Sequence, residues 1–251
     1  NTFILGAAQY GKTNIIQLLI RQIVSQKTVS EANIYILDFG SLVLKNFEEL
    51  KHVGGVVCPT DDEKLKNLFK LLQEEIYSRR ERLVSVGVSS FASYLEAGYK
   101  DLPHIYVFVD NMTALMELYL ENDETFLGIV REGLAVGISV IMANAQTNGI
   151  GLRYMANFAN KICLYCNDTN EYGNLFDHVI LRPDELPGRC VLEYDKRQLE
   201  CQAYLAFEGE KEIERVSAIR SFINEVNQNN TGMRAKCIPF IPTVLTPEQF
   251  M

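Results

Sequence analysis

The chain has 251 residues, of which 47% are hydrophobic and 22% are charged, so it can bury the core of one large domain, or of one domain with additions. No apolar run approaches the ~20 residues that cross a membrane, and no secretory signal peptide is visible. The net charge is −8, whereas proteins that grip nucleic acid are usually basic on at least one face, so binding to nucleic acid is not expected. The chain starts without Met in a predicted strand, so we expect it to be part of a longer polypeptide.

The first predicted elements are a strand, a glycine-containing loop and a helix within residues 3–24. The loop, Gly6–Thr13, fits G-x-x-x-x-G-K-[ST] at every fixed position. The two glycines let the backbone approach a phosphate chain, and Lys12 supplies a cation for the β- and γ-phosphates. The Thr13 hydroxyl is suited to Mg²⁺. A chance glycine-rich turn is the alternative, which the flanking strand and helix disfavour. The predicted nucleotide-binding residues are Gly6, Ala7, Ala8, Gln9, Tyr10, Gly11, Lys12, Thr13 and Asn14.

Alternating strands and helices follow the loop. Strands are predicted at 33–38, 55–58, 104–110, 137–144 and 161–166, and helices at 60–86, 112–120, 125–136 and 168–176. A capping box at 60–63 is expected to start the first of these helices. After a turn-rich loop at 182–189 come a hairpin (190–194 and 198–206) and an amphipathic helix at 210–226. This order predicts a three-layer α/β fold with a largely parallel sheet and a C-terminal hairpin plus helix. We divide the chain into a domain at 1–232 and an extended, proline-containing tail at 233–251.

Three polar residues follow predicted strands and should gather beside the loop, because ligands bind at the carboxyl ends of parallel strands. Asp110 ends the apolar run 104–109 and is predicted to hold Mg²⁺ together with Thr13. A strand-ending turn residue is the alternative. Asp38 and Gln146 end or follow two other strands.

Cysteines and a basic run carry weaker information. Cys163 and Cys166 have metal-ligand spacing, but no second pair exists, and a strand would point them to opposite faces. Buried, reduced thiols are therefore expected for the six cysteines. The basic run at 79–82 is predicted to be a solvated helix face.

The chain resembles the FtsK/SpoIIIE group of ring-forming ATPases, and most of all the C-terminal (third) ATPase domain of EssC-type membrane ATPases of type VII secretion. The resemblance spans nearly the whole chain. Its residues are Gly6–Thr13, Leu37–Gly40, Glu74–Arg80, Leu102–Pro103 with Val107–Asp110, Arg131–Ile138, Ala145–Gln146, Asn160–Leu164 and Leu186–Arg189. The P-loop is generic, whereas Glu74–Arg80 and Leu186–Arg189 are more specific.

The resemblance implies a RecA/FtsK-like P-loop NTPase that takes ATP and Mg²⁺, and a cytosolic domain at the end of a membrane-anchored, multi-ATPase chain. Its implied partners are the other ATPase domains of the same chain, neighbours in a homo-oligomeric ring, and small helical secreted proteins of the WXG type recognised by export signals. Only the parent chain would contact the membrane. Gln146 would match the family's sensor of the γ-phosphate or the attacking water.

Two residues depart from the family's pattern. Asn111 stands where the family has a catalytic Glu, and an amide cannot accept a proton from water; losing a general base costs ~10²–10⁴-fold in rate. Leu134 stands where the family often has Arg, with Arg131 nearby. The predicted catalytic positions are Asp110, Asn111 and Gln146. We therefore expect ATP binding with slow or absent hydrolysis and a role in substrate recognition. A complete motor, with Asp38 or a neighbouring subunit supplying the base, is the alternative, and a DNA-pumping motor is disfavoured by the acidic charge.

Overall fold

A computed structural model of the chain describes residues 1–119, 124–230 and 232–240. The strands are β1 (Thr2–Leu5), β2 (Ala32–Asp38), β3 (Val53–Val57), β4 (His104–Asp110), β5 (Ile138–Asn144), β6 (Asn160–Leu164), β7 (Arg189–Tyr194) and β8 (Arg197–Gln202). The helices are α1 (Lys12–Gln26), α2 (Asp62–Ser85), α3 (Phe91–Glu96), α4 (Met112–Tyr119), α5 (Glu124–Glu132), α6 (Leu152–Met155), α7 (Asn170–Leu175) and α8 (Glu212–Asn229). Within this described part, no helix is both long and apolar enough to span a membrane.

One eight-stranded sheet runs through the domain in the order β3-β2-β4-β5-β1-β6-β7-β8. The strands from β3 to β6 are parallel, and the β7–β8 hairpin adds two antiparallel strands. Alternate side chains of each parallel strand enter two separate cores. In β1, Phe3 and Leu5 pack on the side of α2, α4 and α5, whereas Ile4 packs on the side of α1 and α8. The predicted three-layer α/β fold with a largely parallel sheet is confirmed.

Several predicted boundaries shift for local reasons. The capping box at 60–63 is not formed: α2 begins at Asp62, and the Asp61 carboxylate accepts a hydrogen bond from the Cys58 N–H (2.9 Å). The helix predicted at 125–136 ends at Glu132 and continues as a 3₁₀ turn, Leu134–Val136. The second strand of the hairpin ends at Gln202 rather than at 206. Residue 120, the last of the predicted helix 112–120, lies outside the described residues.

The expectation for the cysteines needs two corrections. Strand β6 ends at Leu164, so the alternation of a strand does not extend to Cys166. Both the Cys163 and the Cys166 thiol donate to the Leu164 carbonyl oxygen (3.4 Å each). The two thiols are therefore neighbours and do not point to opposite faces. All six cysteines are free, but Cys201 is half-buried and Cys237 is exposed.

The basic run at 79–82 is not wholly a solvated face. The Arg79 side chain is only 2% exposed, whereas Arg80 and Arg82 are exposed as predicted. Arg79 Nε donates to Glu75 (3.0 Å), and its guanidinium also donates to the Val136 carbonyl oxygen (3.2 Å). This arginine therefore ties α2 to the turn that leads into β5.

The described part of the predicted tail packs against the domain. Ala235 N–H donates to the Lys51 carbonyl (2.8 Å), and Ile238 N–H donates to the Gly54 carbonyl (3.0 Å). Both side chains are buried. Tail residues 233–240 thus cover strand β3, and residues 241–251 of the predicted tail lie outside the described residues. The domain boundary at 232 stays a prediction.

Replacing Gly54 with alanine is expected to destabilise this packing. A Cβ at Gly54 would overlap the Lys236 carbonyl oxygen and the Tyr35 ring, so the tail and β3 must move apart. Overpacking of this kind costs roughly 1–3 kcal/mol in the free energy of unfolding. Gly128→Ala is the matched control, because a Cβ there meets nothing within 4 Å on helix α5. Denaturant unfolding should show a loss only for Gly54→Ala; equal stability of the two variants would contradict the packing described here.

Candidate nucleotide-binding site

The predicted P-loop joins β1 to α1 at the carboxyl edge of the sheet. Gly11, at the N-cap of α1, has φ of +107°, a conformation that a side chain rarely adopts. Ala7 N–H donates to the carbonyl of Tyr165 (2.8 Å), the residue after β6, which fixes the start of the loop at the end of that strand. Gly6 is required by packing, since a Cβ there would lie 2.6 Å from Leu164 Cβ. Ala8 and Gln9, at the tip of the loop, are exposed.

Lys12 places its ammonium group inside the loop. Its Nζ donates to the carbonyl oxygens of Gly6 (2.7 Å) and Ala7 (2.9 Å). Burial lowers the pKa of Lys12, and the nearby Asp110 carboxylate acts in the opposite direction. A cation held over a loop at a helix N-terminus is suited to phosphate oxygens.

The two predicted magnesium ligands lie in direct contact. Thr13 Oγ1 donates to Asp110 Oδ2 at 2.9 Å. Burial raises the pKa of Asp110, and the Thr13 hydrogen bond and the Lys12 charge oppose that shift. Asp38, paired with Asp110 across β2 and β4, has its pKa raised by burial and then by the Asp110 charge. The Thr13 hydroxyl and the Asp110 carboxylate, with the buried Asp38 next to Asp110, form an oxygen-rich site that fits Mg²⁺, which would supply charge neutralisation for phosphates there.

The backbone at Gly40 packs directly against the Asp110 carboxylate of this site. A Cβ at Gly40 would lie 2.7 Å from Asp110 Oδ2, so only glycine allows the backbone to pass so close. The Asp38 carboxylate accepts hydrogen bonds from the N–H groups of Leu42 (3.1 Å) and Lys45 (3.2 Å). Asp38 therefore holds the loop after β2 and is fully buried.

Asn111 follows β4 in a left-handed conformation, with φ of +70°. Its Nδ2 donates to the Phe39 carbonyl (3.2 Å), and its Oδ1 accepts from Ala114 N–H (3.3 Å), as an N-cap of α4 does. Both ends of the amide are thus engaged with the backbone. Asparagine is one of the few non-glycine residues that tolerates this conformation.

Gln146 lies in the loop after β5, and its side chain is exposed. The neighbouring Asn144, which we did not single out as a site residue, is buried and organises this loop. Its Nδ2 donates to the Gln146 carbonyl (2.6 Å) and to Thr113 Oγ1 (2.9 Å). The structure thus brings Gln146 to the edge where Asp110 lies, and its role as a sensor stays a prediction.

The segment around the Leu186–Arg189 turn contacts the loop from the other side. Gly188 N–H donates to the Tyr10 carbonyl (2.9 Å), and the Tyr10 hydroxyl donates to Glu185 (3.0 Å). Asn14 donates to the Tyr204 carbonyl (2.7 Å) and accepts from Ala206 N–H (2.9 Å). These contacts join residues more than 170 positions apart. The only sequence signal for them was the glycine in the turn at 186–189.

Leu134 and Arg131 lie away from this edge. Both precede β5 and are therefore at the amino end of the sheet, opposite the P-loop. Leu134 is half exposed, and Arg131 pairs with Glu132 at 2.9 Å. Within one chain neither residue joins the candidate site, so any role they have with phosphate would require a neighbouring molecule.

The sheet order and the loop with its two strand-end acids define a P-loop ATPase domain of the α/β class. The model of the FtsK/SpoIIIE family matches residues 1–189, which is most of the chain. The chain therefore belongs to the FtsK/SpoIIIE family.

Its relatives include proteins of type VII secretion. The ESX secretion system protein EccC of Geobacillus thermodenitrificans is 28% identical over the whole chain, which spans 17% of that relative. The solved structure of EssC (ATPases 2 and 3) from the same organism superposes with a TM-score of 0.91 at 27% identity, covering all of this chain and 48% of that one. Thermomonospora curvata EccC (ATPases 2 and 3), solved in complex with a signal sequence peptide, shares the fold with a TM-score of 0.83 at 20% identity, covering all of this chain and 46% of that one.

Proposed function

We propose that this domain binds MgATP, hydrolyses it slowly or not at all, and acts in type VII protein secretion in substrate recognition and the regulation of export. The proposal of MgATP binding rests on the contact between Thr13 and Asp110 and on the Lys12 ammonium, which lies inside the P-loop and interacts with the Asp110 charge. These three groups stand where a phosphate chain and its metal would need a hydroxyl, a carboxylate and a cation. The proposed nucleotide contacts also include the backbone of residues 6–14.

The geometry of Asn111 carries the proposal of slow hydrolysis. General-base catalysis needs a group that can accept a proton within hydrogen-bond reach of the attacking water. The Asn111 amide has no such basicity, and both of its ends are bonded to Phe39 and Ala114. The Asn111 side chain thus stabilises the junction between β4 and α4 and does not act as a general base.

Asp38 is a poor substitute for the missing base. Its carboxylate already accepts two backbone hydrogen bonds, from Leu42 and Lys45, and is fully buried. Moving it toward a water would leave those N–H groups unpaired, which costs about 1–3 kcal/mol each. Gln146 carries an amide and can orient a water but cannot deprotonate it. The alternative of a complete motor therefore needs a base from a neighbouring subunit.

The partners are proposed from the relatives. The Thermomonospora curvata protein was solved with a signal sequence peptide, and two of the solved relatives contain paired ATPase domains. Because this chain spans about a sixth of its relative from Geobacillus, we place it in a longer, membrane-anchored protein with its ATPase part in the cytoplasm. Its partners would be the other ATPase domains, neighbours in a ring, and small helical WXG-type substrates.

A turnover assay on Asn111→Glu tests the proposal. The wild-type domain should bind MgATP yet turn over at least about 100-fold below the 1–10³ s⁻¹ typical of competent enzymes. Asn111→Glu supplies a carboxylate at the family's catalytic position and should raise turnover. Asn224→Glu, on the exposed face of α8, is the matched control for the added charge and should change nothing. Loss of the N-cap in Asn111→Glu is checked by its melting temperature.

A fast wild-type rate would contradict slow hydrolysis, provided that it disappears in Lys12→Ala. That result would restore the complete motor and make Asn111 irrelevant. Salt-sensitive binding of duplex DNA in a gel shift would instead support the DNA-pumping reading.

A further inference from the structure

The sheet order separates the two ends of the phosphate chain. Strands β4 and β5, which end in Asp110 and Asn144, lie on one side of β1, and β6, β7 and β8 lie on the other. The magnesium pair Thr13–Asp110 marks the side of the β- and γ-phosphates. The nucleoside is attached at the opposite end of the phosphate chain. It would therefore extend toward the side of β6 to β8.

On that side, the hairpin and the residues that flank it are hydrogen-bonded to the second half of the P-loop and to the first turn of α1. Gly188 N–H donates to the Tyr10 carbonyl (2.9 Å), and Ala203 N–H donates to the Gly188 carbonyl (2.8 Å). Asn14 then accepts and donates to the residues on either side of position 205, Ala206 and Tyr204. These bonds close a ring of contacts from the loop to the hairpin and back to the first turn of α1.

Tyr204 is the aromatic residue that this segment presents. Its backbone is fixed by Asn14, but its side chain is 82% exposed. The neighbouring Ala206 and Phe207 are buried, and Arg21 donates to the Ala206 carbonyl and lies 5.4 Å from the centre of the Phe207 ring. Ala206 and Phe207 therefore anchor this segment to the domain, while the Tyr204 ring contributes almost nothing to the core. Packing within this domain therefore does not require an aromatic side chain at position 204.

We propose that the Tyr204 ring stacks on the base of the nucleotide whose phosphates lie in the P-loop. The inference rests on the proposed binding of MgATP and adds the nucleoside subsite to it. An exposed ring on a fixed backbone loses little conformational freedom when a base covers it, and a tyrosine offers a flat apolar face of matching size. Stacking is tolerant of base identity, because every base has a π-face. The subsite therefore holds the nucleoside without selecting strictly for adenine.

Calorimetric titration of Tyr204 variants with two ligands tests this. Tyr204→Ala should weaken MgATP binding about fivefold or more, since base–aromatic stacking of about 1–3 kcal/mol is lost. Binding of magnesium tripolyphosphate, which has no base, should stay unchanged in the same variant. Tyr204→Phe keeps the ring and should bind MgATP like the wild type. Tyr194→Ala removes a tyrosine that is 66% exposed at the far end of the same hairpin, and is the matched control.

A fluorescence measurement gives an independent readout, because the chain has no tryptophan. In Tyr204→Trp, the fluorescence of the single indole should be quenched by MgATP and left unchanged by magnesium tripolyphosphate. Unchanged MgATP affinity in Tyr204→Ala, with binding still lost in Lys12→Ala, would overturn the subsite and leave the proposed function intact. The subsite would also be overturned if Tyr204→Ala weakened both ligands equally, or changed only the oligomeric state. Failure of the wild-type domain to bind either ligand would overturn both proposals.

Discussion

Lys12→Ala is expected to weaken MgATP binding by about 100-fold or more. The Lys12 ammonium is the cation inside the P-loop, where it now donates to the Gly6 and Ala7 carbonyls. Hydrogen bonds to charged groups contribute about 1.5–3 kcal/mol each, so the loss of two phosphate contacts corresponds to a factor of this size. Partial burial of the ammonium limits screening by water and keeps the interaction strong. Isothermal titration calorimetry with a purified domain measures the change directly.

Lys66→Ala is the matched control for this experiment. Lys66 is an exposed lysine on α2, far from the P-loop in the chain, and its removal changes net charge by the same amount. Its MgATP affinity should equal that of the wild type. If Lys12→Ala bound MgATP with wild-type affinity, the nucleotide would not use this loop, and the assignment of residues 6–14 would be wrong.

The order of strands and helices could be predicted from the sequence because each element carries its own periodicity. β4 is a continuous apolar run, as a strand covered on both faces requires, and α1 carries its apolar side chains at helical spacing. The P-loop is equally local, since all of its fixed positions lie within eight residues. Such local features can be recognised without knowing how distant parts of the chain pack.

The other side of the candidate site could not be predicted in this way. The contact of Tyr10 with Gly188, and that of Asn14 with Tyr204, join residues that approach only because β7 and β8 pair next to β6. Asn111 shows the same limit only in part. Its bond to Ala114 is a local N-cap, of the kind that Asn directly before a helix indicates, whereas its bond to Phe39 depends on β2 lying beside β4. The long-range contacts arise from strand pairing, and no local pattern predicts them.

The prediction that Arg79 is solvated was wrong. A run of charged residues on a helix usually faces water, and the sequence of 79–82 gives no sign that one member is buried. The partners that make burial tolerable come from distant segments: the Val136 carbonyl precedes β5, and Lys236 in the tail shares Glu75 with Arg79. Glu75 and Arg79 join α2, the turn before β5 and the tail.

Arg79→Met is therefore expected to lower the free energy of unfolding by about 3 kcal/mol, although methionine fills part of the space. Removing one partner of a buried ion pair leaves the other charge poorly compensated, which typically costs about 3–5 kcal/mol. Burial favours the neutral acid, yet the hydrogen bonds from Lys236 and Arg79 hold the pKa of Glu75 below its usual value. Lys236 remains in the variant as a partner of Glu75, which places the cost at the lower end of that range.

Arg80→Met, one position further along α2, supplies the comparison that isolates burial. Arg80 pairs with Glu132 at 3.0 Å, but its side chain is 55% exposed, so its loss should cost less than about 1 kcal/mol. Thermal unfolding should place Arg79→Met roughly 6–12 °C below the wild type, and Arg80→Met within a few degrees of it. Equal melting temperatures for the two variants would show that Arg79 is solvated after all. A double-mutant cycle with Glu75→Gln should then assign the difference to the Glu75–Arg79 pair, because the two losses will not add if the residues act together.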